Sequence, residues 1–505
     1  MATPRLDPYD KLISRFYEHV LTLTVLGQTR GKHTAVLHHS GSMVATSARL
    51  LNNLSYLLDY EKGGATSAAI GVEDGASCYT FWLACNNGSK LMTMKNMLED
   101  ITRNIRDIIS HPEDEREDMT IELIRRCVSF SIARVAKERQ ILSRSIRKCD
   151  EKSLFTGSQS NTALGTWTKM FEGKRGMSLC LLAYDQRNSS CMKEVTQRGQ
   201  ERHGVHPPHA ELYRDLRHSL GRLAYHISAV KQVVEDASCL HCLFEEGTSR
   251  VRCIAPVPSV PPPKPDVLTT LKGILKRMLP SQDPRLKEYE ETLLMMDQKM
   301  GLLRRILNEY NRPGFQPCVH GEVQVLDHFE TKRLRFFGDN RIVGCSKPSC
   351  FCCYLYFKAH PAKPVELRSH LKIWPKWGPP LLTNGAKDDR FTEQRKIMVT
   401  MMKDLGSEVL DQIKQKGMAP QWHADSTTGI TPSVSFNTHS LESQLADFTM
   451  GDENDPESLE SEADDSGFLC EIGFPSGEDG DGAGSNKGDG PNEQYESDSD
   501  GGAPL

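Results

Sequence analysis

A chain of 505 residues that is 38% hydrophobic and 26% charged has length for two or three domains and the balance of a water-soluble protein with a polar part. No apolar run is long enough to span a bilayer, and the opening "MATPRLDPYDKLISRFYEHV" lacks the basic-then-apolar order of a secretory signal. These features predict an intracellular protein, cytoplasmic or nuclear, whose 15 cysteines are reduced thiols and candidate metal ligands rather than a disulfide framework. The net charge of −5 is uneven: Asp452 to Leu505 carries 17 acidic residues against Lys487, a net of −16, which leaves +11 on the remainder. A basic body admits an anionic partner such as nucleic acid.

In chain order, residues 8–60 read as helices joined by loops. "ATSAAIGVED" and "CYTFWLACNN" then read as two strands of a hairpin, at 66–74 and 78–86, rich in β-branched and aromatic residues. Helical periodicity returns from about Lys90 to Cys149. The stretch 150–208 has little periodic signal and is expected to be mostly loop. Leu212, Leu216, Leu220, Leu223, Ile227, Val230 and Val234 mark a long amphipathic helix. "APVPSVPPPKP" at 255–265 is a proline-rich linker. Helix resumes from Val267 to about Tyr310, interrupted at Pro280 and Pro284. Beyond Gly417 the chain turns polar and then acidic, a composition expected to be disordered.

The chemistry concentrates between Gln316 and Pro361. "QPCVHGEVQVLDHF" places His320 and Glu322 two apart, ahead of the apolar set Val325, Leu326 and Phe329. Deep in a helix, residues i and i+2 point about 200° apart. At a helix start, where the backbone is still turning in, they can converge. "GCSKPSCFCCYLYFKAH" predicts a short helix beginning near Cys350, with Cys350 and Cys353 on one face of its first turn and Cys352 directed elsewhere. A helix N-terminus favours the thiolate that zinc needs. Between the two helices, "LRFFGDNRIVGCS" offers a Gly-Asp-Asn turn and a strand from Arg341 to Cys345, a path that folds the second helix start back beside the first.

The chain carries its own control. His209 and Glu211 form a second H-x-E, and Cys239 and Cys242 a second C-x-x-C, at the same thirty-residue interval. One continuous amphipathic helix fills that gap and would hold its ends roughly 40 Å apart. Gly221 costs that helix only about 1 kcal/mol, too little to break it. His203, His206 and His209 form a further histidine cluster in a Pro-rich loop, where a site is not expected.

His320, Cys350 and Cys353 fit two kinds of zinc site. A closed structural site would take Cys318 or Cys345 as fourth ligand. A catalytic site would stop at three ligands, keep a position for water and lower that water's pKa to about 7, with Glu322 as proton carrier. A structural site has no use for Glu322, which favours the second. Trp374 and Trp377, in the lysine-flanked "KIWPKWGPPLL", are either packing residues or a platform for stacking bases.

The H-x-E and P-x-C-x-x-C pieces resemble the zinc-dependent nucleoside and nucleic-acid deaminase superfamily, whose signature pairs H-x-E with P-C-x-x-C. The similarity, over about Pro313 to Pro380, is to a poorly characterised branch common in fungi with bacterial toxin relatives. It departs from the usual pattern in Gly321, where alanine is common, and in Ser349, inserted between Pro348 and Cys350. The resemblance implies Zn2+ held by His320, Cys350 and Cys353, with Glu322 as proton shuttle. It also implies an α/β, three-layer cytidine-deaminase-like fold carrying a large helical N-terminal part or insertion and an acidic tail. Asn86, at the end of the second hairpin strand, would contact the bound nucleoside. The implied division is 1–312 mainly helical, 313–417 the zinc domain and 418–505 the tail. Two placements of the 66–86 hairpin are open: it completes the deaminase sheet, with 90–312 inserted, or it belongs to a separate domain. The implied activity is hydrolytic deamination of a nucleobase in a nucleoside, nucleotide or single-stranded nucleic acid. The alternative is a deaminase-like zinc module retained for protein or nucleic-acid interaction.

Overall fold

The computed structural model describes residues 7–27, 34, 42–200 and 208–415. The expected tail at 418–505, and His203 and His206 of the histidine cluster, lie outside the described residues. Helices α1 (Pro8–Leu26) and α2 (Met43–Leu58) lead into the hairpin β1 (Ala68–Asp74) and β2 (Tyr79–Cys85). Next come α3 (Leu91–Ser110), α4 (Arg116–Phe130), α5 (Ile132–Glu151), α6 (Gln159–Lys169), α7 (Gly176–Gln186), α8 (Ser190–Arg198) and α9 (Ala210–Cys239). Strand β3 (Ser249–Cys253) precedes α10 (Leu271–Met278), α11 (Leu286–Met300) and α12 (Leu302–Tyr310). The last group is α13 (Gly321–Lys332), β4 (Gly344–Cys345), α14 (Phe351–Ala359) and α15 (Phe391–Lys414). No described helix is long and apolar enough to cross a membrane.

The four strands form one mixed sheet in the order β3-β2-β1-β4. β1 and β2 are antiparallel from Ala68↔Cys85 to Asp74↔Tyr79, and β3 runs parallel to β2. β4 pairs antiparallel with β1 through Ala69↔Cys345 and Ile70↔Gly344. The hairpin therefore shares its sheet with a strand some 270 residues away, and the sheet runs across position 313. Side chains alternate on its two faces, as strand geometry requires. Ile70, Val72, Phe81 and Leu83 enter one core with α2, α3 and α9, whereas the small Ala69 and Ala84 enter another with α13 and α14. Helices cover both faces, and the small residues let α13 come close.

The stretch 150–208, expected to be mostly loop, holds α6, α7 and α8 instead. Each has only nine to eleven residues and one short buried set: Leu164 and Trp167, then Leu179, Cys180 and Ala183, then Met192 and Val195. Runs that short show no clear period in sequence, and docking against neighbours stabilises them. β3 was not foreseen because a single buried Val251 between Arg250 and Arg252 suits a charged edge strand. The other helical expectations hold, with one more break at Gly301, whose left-handed φ of 61° separates α11 from α12.

Candidate metal centre

Helix α13 starts at Gly321, with His320 as its N-cap in extended conformation (φ −70°, ψ 151°). His320 and Glu322 thus straddle the helix start. No side chain within α13 caps it. The Gly321 N–H donates instead to Asn86 Oδ1 at the end of β2, at 2.9 Å. The buried Gln324 amide reaches back to the Val319 and Cys85 carbonyls, at 2.8 and 3.1 Å. A Cβ on Gly321 would come within 3.3 Å of the Ala69 Cβ and 3.4 Å of the Ala84 carbonyl oxygen. Glycine at this position allows the helix start to sit that close to the hairpin. Neither Gln324 nor this use of Asn86 was legible beforehand: a polar residue in the first helical turn signals an N-terminus, but not its partner in the fold.

Helix α14 starts in the same way, with Cys350 as N-cap and its Sγ accepting the Cys353 N–H at 3.5 Å. Its entry is fixed by Ser349 N–H to the Arg368 carbonyl, at 2.7 Å, and Phe351 N–H to the Lys372 carbonyl, at 2.9 Å. β4 carries the chain back to it. Asn52 Oδ1 accepts the Cys345 N–H at 2.8 Å, and Ser346 exchanges two hydrogen bonds with Ala68.

The two helix starts face each other. His320 Nδ1 lies 3.6 Å from Cys350 Sγ and 3.4 Å from Cys353 Sγ. In a tetrahedral zinc site, bonds of about 2.3 Å to sulfur and 2.0–2.1 Å to nitrogen separate the two atom types by roughly 3.5 Å. The donor set therefore fits zinc in chemistry and in spacing, and the three residues could hold a metal ion. Among the described residues the group has these three members, without Cys318, Cys345 or Cys352. Burial opposes charge here. Against it, the hydrogen bond from Cys353 and the charge of His320 bring the Cys350 thiol down to about 6. Burial and the neighbouring Cys350 push Cys353 well above the ordinary thiol range. The His320 imidazole also suffers burial, but the Cys350 charge outweighs it and raises its pKa well above the usual value. A thiolate beside an imidazolium is a state from which a divalent cation displaces the remaining protons. The Glu322 carboxylate is close enough to this group to act by charge on His320, Cys350, Cys353 and Cys345.

Residues 319–381 match the family model described as OTT_1508-like deaminase. The match shows that this segment is similar to a deaminase family. Comparison with curated proteins and with solved structures found no match. The matched segment contains the three candidate ligands and Glu322, while Asn86 comes from outside it, on the hairpin.

The second H-x-E and C-x-x-C do not meet. α9 is one helix of 30 residues from Ala210 to Cys239, with His209 at one end and Cys242 beyond the other. Trp377 is fully buried, so the packing reading holds for it. Trp374 is half-buried and packs edge-on to His370.

Proposed function

We propose that this protein is a zinc-dependent hydrolase that deaminates a nucleobase, carried in a nucleoside, nucleotide or single-stranded nucleic acid. The observation that carries this reading is a three-residue ligand group with the Glu322 carboxylate against it and no fourth histidine, cysteine or carboxylate in the group among the described residues. A closed structural site would need a fourth ligand such as Cys318 or Cys345, and neither falls within the group. Zinc held by His320, Cys350 and Cys353 would supply an activated water. Glu322 takes a proton from the attacking water, passes it to the ring nitrogen beside the amino-bearing carbon, and later protonates the departing amine. The balance is one water consumed, one exocyclic carbon–nitrogen bond broken, one carbonyl formed and ammonia released.

The same reading extends to the architecture. The hairpin β1–β2 supplies the first strands of a three-layer cytidine-deaminase-like unit, and the chain from 90 to 312 is an insertion between that hairpin and the segment 313–417. The pairing of β4 with β1 and the docking of α13 on the hairpin support this. Asn86 has a double part: Oδ1 holds the start of α13, and Nδ2 donates one hydrogen to the Gly64 carbonyl at 3.0 Å. Its second N–H has no protein partner among the described residues and is assigned to the substrate.

The test is ammonia release by the zinc-loaded chain on a panel of free nucleosides, nucleotides and single-stranded DNA and RNA. Turnover on one class establishes the activity and names the substrate. A chain that holds zinc and releases no ammonia from any of them refutes the enzyme and leaves an interaction module.

A further inference from the structure

The Trp377 indole N–H donates to Cys353 Sγ at 3.1 Å, in a place closed to solvent. An indole N–H is a donor only, and when buried it needs an acceptor. A neutral thiol is a weak acceptor, whereas a thiolate makes the stronger, charge-assisted bond. A buried indole aimed at a ligand sulfur therefore suits the ionised, metal-bound form of Cys353.

The ring is held there by three segments distant in sequence. Tyr17 OH, from α1, donates to the Trp377 carbonyl at 3.1 Å, and the Phe16 ring lies 5.3 Å from the indole. Tyr356, from α14, approaches on another side at 6.1 Å. The chain just before α13 pairs with the Trp377 loop: Cys318 N–H donates to the Lys376 carbonyl at 2.8 Å, and Gly378 N–H to the Cys318 carbonyl at 2.9 Å. The indole is therefore set in position by the same elements that set His320 and Cys353.

We propose that Trp377 is a positioning residue of the metal centre, whose indole N–H anchors the Cys353 sulfur and draws charge from it. The proposal rests on His320, Cys350 and Cys353 holding a metal, and not on the deamination reading. Partners of this kind orient ligands and adjust how much charge they donate. A hydrogen bond lowers the energy of the sulfur lone pairs, so less charge passes to the ion and the ion stays the stronger Lewis acid.

The test uses the full chain loaded with cobalt(II) in place of zinc, as parent, Trp377→Phe and Phe16→Leu. Trp377→Phe keeps a ring and removes the donor. It is expected to shift the sulfur-to-cobalt charge-transfer band to longer wavelength, keep the tetrahedral visible bands, and weaken zinc binding by about 10–100-fold in chelator competition. Phe16→Leu loosens the packing but keeps the N–H, and its band should stay at the parent position. An unmoved band in loaded Trp377→Phe, or an equal shift in Phe16→Leu, overturns the role of Trp377 alone. Should Trp377→Phe fail to fold, the parent chain with 15N-labelled indoles and bound 113Cd decides the matter. One indole proton coupled to cadmium across sulfur supports the bond, and none overturns it. A parent chain that takes up no metal overturns the metal site and this proposal together.

Discussion

Two stretches of this chain carry the same letters at the same interval. In one, His320 and Glu322 are followed thirty residues later by Cys350 and Cys353. In the other, His209 and Glu211 are followed at the same distance by Cys239 and Cys242. The first folds back through a turn and the short strand β4, and its imidazole and thiols come within 3.6 Å. The second is spaced apart by the unbroken α9. The middle of α9 is clamped from outside: Glu138, on α5, binds Arg222 at 2.7 Å and His226 at 3.0 Å, one turn apart, with all three buried. A ligand spacing becomes a site only when the chain between has a way to return.

The sharpest way to break this comparison is to remove cysteines from each stretch. Cys350→Ser or Cys353→Ser should abolish the expected binding of about one zinc per chain. Cys239→Ser, Cys242→Ser and Cys352→Ser should leave it unchanged in metal analysis of the purified protein. Equal loss with Cys239→Ser would mean that the two stretches do not differ in this way.

The paired glutamates come next. Glu322→Gln should retain zinc and lower turnover by about 10²–10⁴-fold, the usual contribution of a general acid–base group, while Glu211→Gln should match the parent. Zinc loss in Glu322→Gln would make Glu322 a ligand instead.

The clamp on α9 can be tested by stability. Glu138→Ala leaves Arg222 and His226 without their carboxylate and Arg134 with Asp59 as its remaining one, and breaking a buried pair in this way costs about 3–5 kcal/mol. Denaturant unfolding should show that loss, with zinc content per folded chain unchanged. Burial opposes ionisation of Glu138, but Arg222 and Arg134 overcome it and hold the carboxyl well below its usual range. A depressed folded pKa gives stabilisation that is full above the unfolded carboxylate value, about 4.3, and lost as pH falls through the folded one. Between neutral and strongly acid pH, the parent should therefore lose more stability than Glu138→Ala does.

The smallest expected effect tests the return path. A Cβ on Gly344 would lie 2.4 Å from the backbone carbon of Leu51, on α2. Gly344→Ala must push β4 or α2 aside, at about 1–3 kcal/mol, seen as a lower unfolding midpoint. An unchanged midpoint would mean that β4 is not held as tightly as its contacts imply.

Several features of the centre were legible because they are local. A histidine and a glutamate two apart need a helix start, and both starts lie at the expected residues because cap positions follow from the few residues around them. The hairpin, the turn at Gly338 and the length of α9 are local in the same sense. Short helices such as α8 were not legible, since nine residues hold too little pattern to outweigh chance.

By itself the sequence determined which groups could bind a metal and which path between them could bend back, because side-chain chemistry, helical period and turn residues act over a few positions. Only the tertiary structure decided that the hairpin joins β4 in one sheet, that Asn86 holds Gly321, and that Trp377 reaches Cys353. Each of these joins residues far apart in the chain, from 24 to more than 200 positions. Such partners are selected by packing shape and by the need of buried donors for acceptors, and neither leaves a periodic mark in the sequence.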